Sequence, residues 1–82
     1  MTKFKEIRQR SGMTQSQLAN KSGLNLRTLQ YYEQGAKPLN HARIDTILKL
    51  CIELDCEIGE IIEDNNLIEL YNRYIDINYP TE

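Results

Sequence analysis

The stretch TQSQLANKSGLNLRTLQYYEQG, residues 14–35, decides the fold of this chain. It predicts two short helices separated by a glycine turn. The hydroxyl of Thr14 can cap the first helix, and Gln17, three residues later, completes a capping box. Gly23 ends that helix, and Asn25 supplies a new cap directly before the second helix. The stretch therefore indicates a helix–turn–helix unit.

The spacing of small and apolar residues supports this interpretation. With Gln15 as the first position, Ala19 is the fifth, where two crossing helices leave room only for a small side chain. Gly23 is the ninth position, where the turn needs a positive φ that glycine adopts without strain. Leu29 is the fifteenth position and fills the space beneath the second helix. Together these matches indicate the motif that presents its second helix to the DNA major groove.

Helical periodicity continues on both sides of the motif. Phe4 and Ile7 predict a first helix over residues 3–11, which Gly12 ends as a left-handed cap. After Gly35, Asn40 is predicted to cap a fourth helix. The apolar face of that helix is predicted from Ile44, Ile47, Leu48, Cys51 and Leu54.

A short fifth helix is predicted near residues 58–63, and a sixth helical segment follows it. Pro80 marks the predicted end of the ordered part. No alternation typical of strands occurs, so the predicted fold class is all-α. Residues 1–64 are predicted to form one DNA-binding domain, and residues 65–82 a helical C-terminal extension.

Charge divides the chain into two unequal halves. Residues 1–43 hold eight lysines and arginines against two glutamates, a net charge of +6, whereas residues 44–82 hold two against ten acidic residues, a net charge of −8. Charges farther apart than about 8 Å are largely screened at physiological salt. The basic half is therefore expected to face phosphates although the whole chain carries −2.

Several classes of function lack a sequence signal. Cys51 and Cys56 form no CxxC motif, and His41 is the only histidine, so neither a metal site nor a cofactor is expected. No nucleophile–base pair or phosphate-binding loop occurs, which speaks against an enzyme. No apolar stretch is long enough for a membrane span or a signal peptide, so a cytoplasmic protein, nucleoid-associated when bound to DNA, is expected.

The chain resembles the phage-repressor family of helix–turn–helix transcriptional regulators, the Cro-like or XRE group. The resemblance covers residues 3 to about 64. It implies a five-helix lambda-repressor-like domain, a third helix that reads the major groove, and two subunits on a two-fold-symmetric operator. It rests on R-x-x-x-G-M-T-Q-x-x-L-A from Arg8 to Ala19, on S-G-L-N-x-x-T-L-x-x-Y-E-x-G from Ser22 to Gly35, and on LDCEIGEII at residues 54–62.

The resemblance also assigns residue roles. Arg8 and Glu33 match a structural ion pair that links the first helix to the end of the third. Gln15 matches a phosphate contact at the start of the second helix. Bases are predicted to be read by Leu26, Arg27, Gln30 and Tyr31. Asn25 and Thr28 are expected to cap the helix or to contact phosphates. The candidate phosphate neighbours among the basic residues are Lys37, Lys21 and Arg10.

Arg27 could pair with guanine, which is worth about 1–3 kcal/mol of discrimination, or hold a phosphate. Gln30 could read adenine, and the apolar Leu26 suggests contact with a thymine methyl group. Tyr31 could bind a phosphate or stack on a sugar.

The C-terminal extension carries an apolar stripe that has to be covered. It could pack back on the domain, or it could bind a second subunit or another protein; the richness in tyrosine favours an interface. The first hypothesis is a homodimeric DNA-binding transcriptional regulator that acts as a repressor. An antitoxin-like module that binds a toxin-like partner is the alternative. The candidate interface residues are Leu67, Leu70, Tyr71, Tyr74 and Ile75.

Overall fold

The computed structural model describes residues 2–79 and contains five α-helices with two 3-10 turns. No strand occurs within that range, so the predicted all-α class is confirmed. Pro80 lies outside the described residues. The helices are α1 (Lys3–Ser11), α2 (Gln15–Ser22), α3 (Leu26–Gln34), α4 (Ile44–Leu54) and α5 (Asn65–Asn78); the 3-10 turns are Leu39–His41 and Ile58–Glu60.

Local capping fixes the ends of α2 and α3. The hydroxyl of Thr14 accepts from the amide of Gln17 (3.1 Å), and the Gln17 side chain accepts from the amide of Thr14 (2.9 Å), which is the predicted capping box. Gly23 follows with a φ of 73°. The Asn25 side chain then accepts from the first amides of α3. The helix–turn–helix therefore has the boundaries that its sequence predicts.

The core lies where α2 packs against both α3 and α4, and where α1 packs against α3 and α4. Ala19 is buried at the fifth position of the motif, and Leu18 and Leu29 are buried completely. Burying a leucine or phenylalanine side chain contributes about 1.5–3 kcal/mol, so this small set dominates the stability of the domain. The largest fully buried side chains are Phe4, Leu18, Leu29, Leu50, Ile61 and Ile62.

The start of α4 differs from the prediction. Asn40 does not cap this helix; it lies in the first 3-10 turn, and its amide donates to the Asp64 carboxylate (3.2 Å). The helix begins later, at Ile44, and no side chain caps it. Asn40 therefore makes a tertiary hydrogen bond, which joins the 3-10 turn to the start of α5, instead of a local capping bond.

The buried face of α4 is also shifted from the predicted one. Ile44 and Leu48 are 64% and 44% exposed, whereas Leu50, which the periodicity does not single out, is fully buried. Both sets have helical spacing, and packing against α1 and α2 selects between them. The face toward the core consists of Ile47, Leu50, Cys51 and Leu54.

The element predicted over residues 58–63 is a single 3-10 turn, Ile58–Glu60. Ile61 and Ile62 follow it and are buried, so the predicted apolar residues do close the core. The Lys3 ammonium donates to the carbonyl of Gly59 (2.7 Å) and to that of Ile62 (3.3 Å). A side chain of α1 therefore satisfies carbonyls that a longer helix would have paired internally.

Helix α5 is capped by Asp64, whose carboxylate accepts from the amides of Asn66 and Leu67. Leu67 and Ile68 pack against the core, but no residue of α5 is buried. Beyond its first turns the helix leaves the core. None of the helices in the described range is long and apolar enough to cross a membrane.

Candidate nucleic-acid interface

One face of helix α3 packs against the core, and the opposite face is accessible to solvent. Leu29 and Glu33 lie on the inner face, 0% and 3% exposed. On the outer side Arg27 is exposed and Leu26 is 39% exposed, while Gln30 and Tyr31 are half-buried. Gln34 is also exposed, seven residues after Arg27 and hence on the same face. The four predicted reading residues therefore share one accessible surface with Gln34, which is not among the predicted contacts.

The start of α3 is a capped helix end. The Asn25 side-chain oxygen accepts from the amides of Arg27 (2.9 Å) and Thr28 (3.4 Å). The side-chain oxygen of Asn25 is therefore used for capping. The side-chain nitrogen, Nδ2, is the part of Asn25 that is available to a ligand. The side chain of Thr28 is half-buried beside it.

The start of α2 presents free backbone donors. Its capping box uses the amide of Gln17, and among residues 2–79 no acceptor bonds to the amides of Gln15 and Ser16. These two N–H groups project from the positive end of the helix, which favours an anion. Gln15 itself is half-buried at the same point.

An ion pair between Arg8 and Glu33 lies behind this surface. The Arg8 guanidinium donates from Nε to Oε2 of Glu33, and from Nη2 to Oε1 at 3.0 Å. Its third nitrogen, Nη1, donates to the carbonyl of Met13 (2.8 Å), in the loop before α2. The pair therefore joins α1, the loop and α3, the linkage that the resemblance implies.

Two glutamines extend the ion pair toward the surface. The Gln15 side-chain nitrogen donates to Oε1 of Glu33 (3.1 Å). The Gln30 side-chain nitrogen donates to Oε1 of Gln15 (3.3 Å). Gln15 and Gln30 are thus brought into direct contact although fourteen residues separate them in the sequence. No local pattern signals this contact, because it depends on the crossing of α2 and α3.

Tyr31 and Lys37 meet at the far end of α3. The Lys37 ammonium lies 5.6 Å from the centre of the Tyr31 ring, a cation–π arrangement worth about 0.5–1 kcal/mol at an exposed site. Because Gly35 reverses the chain, the Lys37 amide also donates to the Tyr31 carbonyl (3.3 Å). Two further exposed cations, Arg10 and Lys21, lie on α1 and α2.

Cys51 lies on the core-facing side of α4, and Cys56 lies in the segment that follows this helix. Burial raises the pKa of the Cys51 thiol, and burial with the adjacent Cys51 raises the pKa of Cys56 to about 12. Such thiols are neutral and weakly nucleophilic at physiological pH. Within residues 2–79, no group of three or more His, Cys, Asp or Glu side chains is placed to hold a metal ion.

These observations define a helix–turn–helix domain with an exposed second helix and free amides beside it. Residues 3–66 match the family model of the Cro/C1-type HTH DNA-binding domain. The chain belongs to this family, which confirms the resemblance drawn from its motifs. No match is found among curated proteins or among solved structures.

Proposed function

We propose that this protein is a sequence-specific, double-stranded DNA-binding transcriptional regulator that inserts α3 into the major groove. Membership of a DNA-binding family supports the binding itself. The observation that carries the finer proposal is the exposed surface of α3, where Leu26, Arg27, Gln30 and Tyr31 project while Leu29 and Glu33 anchor the helix from behind. We place the protein in the cytoplasm, on the nucleoid when bound.

Phosphate contacts fix the register of a protein on the duplex, and base contacts supply the specificity. We assign the phosphate role to the free amides at the start of α2 with Gln15, and to Tyr31 and Lys37 at the end of α3. Both sets lie beside the second half of α3, since Gln15 is bonded to Gln30 and Glu33 there. Asn25 and Thr28 are further phosphate contacts in this proposal, through the amide of Asn25 and the hydroxyl of Thr28.

We assign base reading to the start of α3. Arg27 is the residue proposed to donate to guanine, because it is exposed and has no acidic partner among the described residues. Leu26 offers an apolar surface to a thymine methyl group. Gln30 offers an amide to adenine. Repression is the mode we propose, since occupancy of an operator that overlaps a promoter needs no contact beyond the DNA.

We further propose that two copies bind a two-fold-symmetric operator and that α5 joins them, with residues 1–64 as the DNA-binding domain and residues 65–82 as the dimerisation segment. The support is the apolar face of α5, where Leu70 and Tyr74 are 58% and 53% exposed while Tyr71 and Ile75 are half-buried. Leu67 continues this face into the core. A partner protein of the toxin class on the same face is the competing occupant.

Selection of bound sites from a pool of random duplexes at physiological salt tests the proposal. We expect one enriched sequence with two inverted half-sites, bound at least about a thousandfold more tightly than random DNA. Salt has to be held constant, because the contribution of phosphates falls steeply with it. Equal binding of all duplexes would show that the protein binds DNA without sequence specificity. Enrichment of a single half-site would contradict binding as a symmetric dimer.

A further inference from the structure

Four side chains form a continuous line of hydrogen bonds from the interior to the exposed side of α3. Arg8 donates to Glu33, Gln15 donates to the same carboxylate at 3.1 Å, and Gln30 donates to Gln15 at 3.3 Å. Glu33 is 3% exposed and Arg8 is 9% exposed, whereas the two glutamines are half-buried. We call this set the Glu33 relay.

The charged end of the Glu33 relay fixes its direction. A guanidinium only donates and an ionised carboxylate only accepts, so Gln15 has to turn its nitrogen toward Glu33. The oxygen of Gln15 then faces Gln30, which in turn has to present its nitrogen. The two ends of a glutamine amide are nearly equal in shape, so without the charge either orientation would fit the same space.

The orientation of Gln30 decides what it offers to a base. One N–H of Gln30 is used on Gln15, which leaves its other N–H and its carbonyl oxygen. Adenine presents N7 as an acceptor beside the N6 amino group as a donor, and a glutamine amide matches both when it offers one donor and one acceptor. A reversed Gln30 amide would exchange the positions of this donor and this acceptor, so that they would no longer face N7 and N6 of an adenine in the same place.

We propose that Glu33 is a positioning residue for base reading: it sets the amide orientation of Gln30 through Gln15 and so selects adenine at one operator position. The inference rests on the proposed function. It differs from a purely structural role in its consequence. Loss of a structural ion pair weakens binding to every duplex alike, whereas loss of the Glu33 relay removes the preference at one base pair and leaves the other positions unchanged.

The test compares sites selected by wild type, Q30A, Q15A, E33Q and E69Q, each at a temperature where circular dichroism shows it folded. Q30A identifies the position that Gln30 reads. E69Q is the matched control, because it changes the net charge as E33Q does at an exposed position of α5. Q15A breaks the Glu33 relay without touching the ion pair, so it decides the matter if E33Q does not fold.

At the position that Gln30 reads, we expect wild type and E69Q to prefer adenine by about 5- to 150-fold, the discrimination of a bidentate pair. In Q15A and E33Q we expect this preference to fall within about twofold of equal use of the four bases, with the remaining positions retained. The proposal is overturned if a folded E33Q keeps the wild-type preference there, if Q15A keeps it, or if the variants flatten all positions equally.

A measurement without DNA separates the Glu33 relay from the proposed function. In NMR spectra of the free protein, we expect the side-chain amide signals of Gln15 and Gln30 to shift in E33Q and to stay in place in E69Q. If the signals do not shift in E33Q, the hydrogen bonds of the Glu33 relay do not exist in solution. Shifted signals together with a wild type that selects no site would show that the contacts exist but that sequence-specific binding, and the base-reading role with it, is wrong.

Discussion

Arg8 and Glu33 are joined through two parallel hydrogen bonds, so that one guanidinium faces both oxygens of one carboxylate in the interior. The side chains are 10% and 1% exposed. Among the described residues no buried side-chain nitrogen or oxygen is left without a hydrogen-bond partner. The pair is therefore fully satisfied, and its cost appears only when one member is removed.

Replacement of Glu33 by alanine is expected to destabilise the fold by about 3–5 kcal/mol, because Arg8 then remains buried without its counter-ion. For a domain of this size that corresponds to a fall in melting temperature of at least about 10 °C. Thermal unfolding followed by circular dichroism measures it, with the exposed Glu6→Ala as control. Wild-type melting of Glu33→Ala would show that the pair contributes nothing.

Replacement of Arg27 by alanine is expected to weaken binding to the selected operator by about 5- to 150-fold and binding to random DNA much less. The reason is that a guanidinium paired with guanine discriminates between bases, whereas one on a phosphate does not. Titration of both duplexes at one salt concentration measures the two losses. Equal losses would reassign Arg27 to a phosphate. Lys49→Ala, which removes the same charge from an exposed position of α4, is the control.

The sequence predicts those parts of the molecule that depend on neighbouring residues. Thr14, Gln17 and Asn25 make their predicted caps because the donors and acceptors lie within three residues. The predicted cap of the fourth helix by Asn40 is wrong, because the side-chain amide of Asn40 donates instead to Asp64, which is distant in the sequence. The exposed residues at the start of α3 follow from helical period, but the contact of Gln15 with Gln30 requires the crossing of two helices.

Leu26 is predicted to contact a thymine methyl group, since it is an accessible apolar side chain at the first position of α3. Replacing that thymine by deoxyuridine removes one methyl group and is expected to weaken wild-type binding about fourfold, from about 0.8 kcal/mol per buried carbon. The Leu26→Ala variant should bind the thymine and the deoxyuridine duplex with equal affinity. If wild type also binds the two duplexes equally, Leu26 does not contact this thymine. A thymine elsewhere in the operator is the internal control.

The thiol of Cys56 is expected to react slowly in the folded protein. With a pKa of about 12, about one thiol in ten thousand is ionised at pH 8, against about a tenth at the ordinary value of 9.0. Because the folded pKa is raised, the associated stability is complete below pH 9 and is lost as the pH rises toward 12. Alkylation by iodoacetamide with and without urea measures the first effect. Cys51→Ser leaves Cys56 as the thiol that is measured, and equal rates with and without urea would contradict its burial.

The apolar face of α5 is expected to hold the dimer together. Leu70→Glu and Tyr74→Glu place a charge in the middle of that face and should convert a dimer into a monomer, because a buried unpaired carboxylate costs several kcal/mol. Sedimentation equilibrium measures the mass, and Asn72→Glu adds the same charge on the exposed polar side of α5. If Asn72→Glu dissociates as readily, charge alone is responsible. A monomeric wild type whose α5 variants lose binding to a co-purified basic protein would instead favour the toxin-like partner.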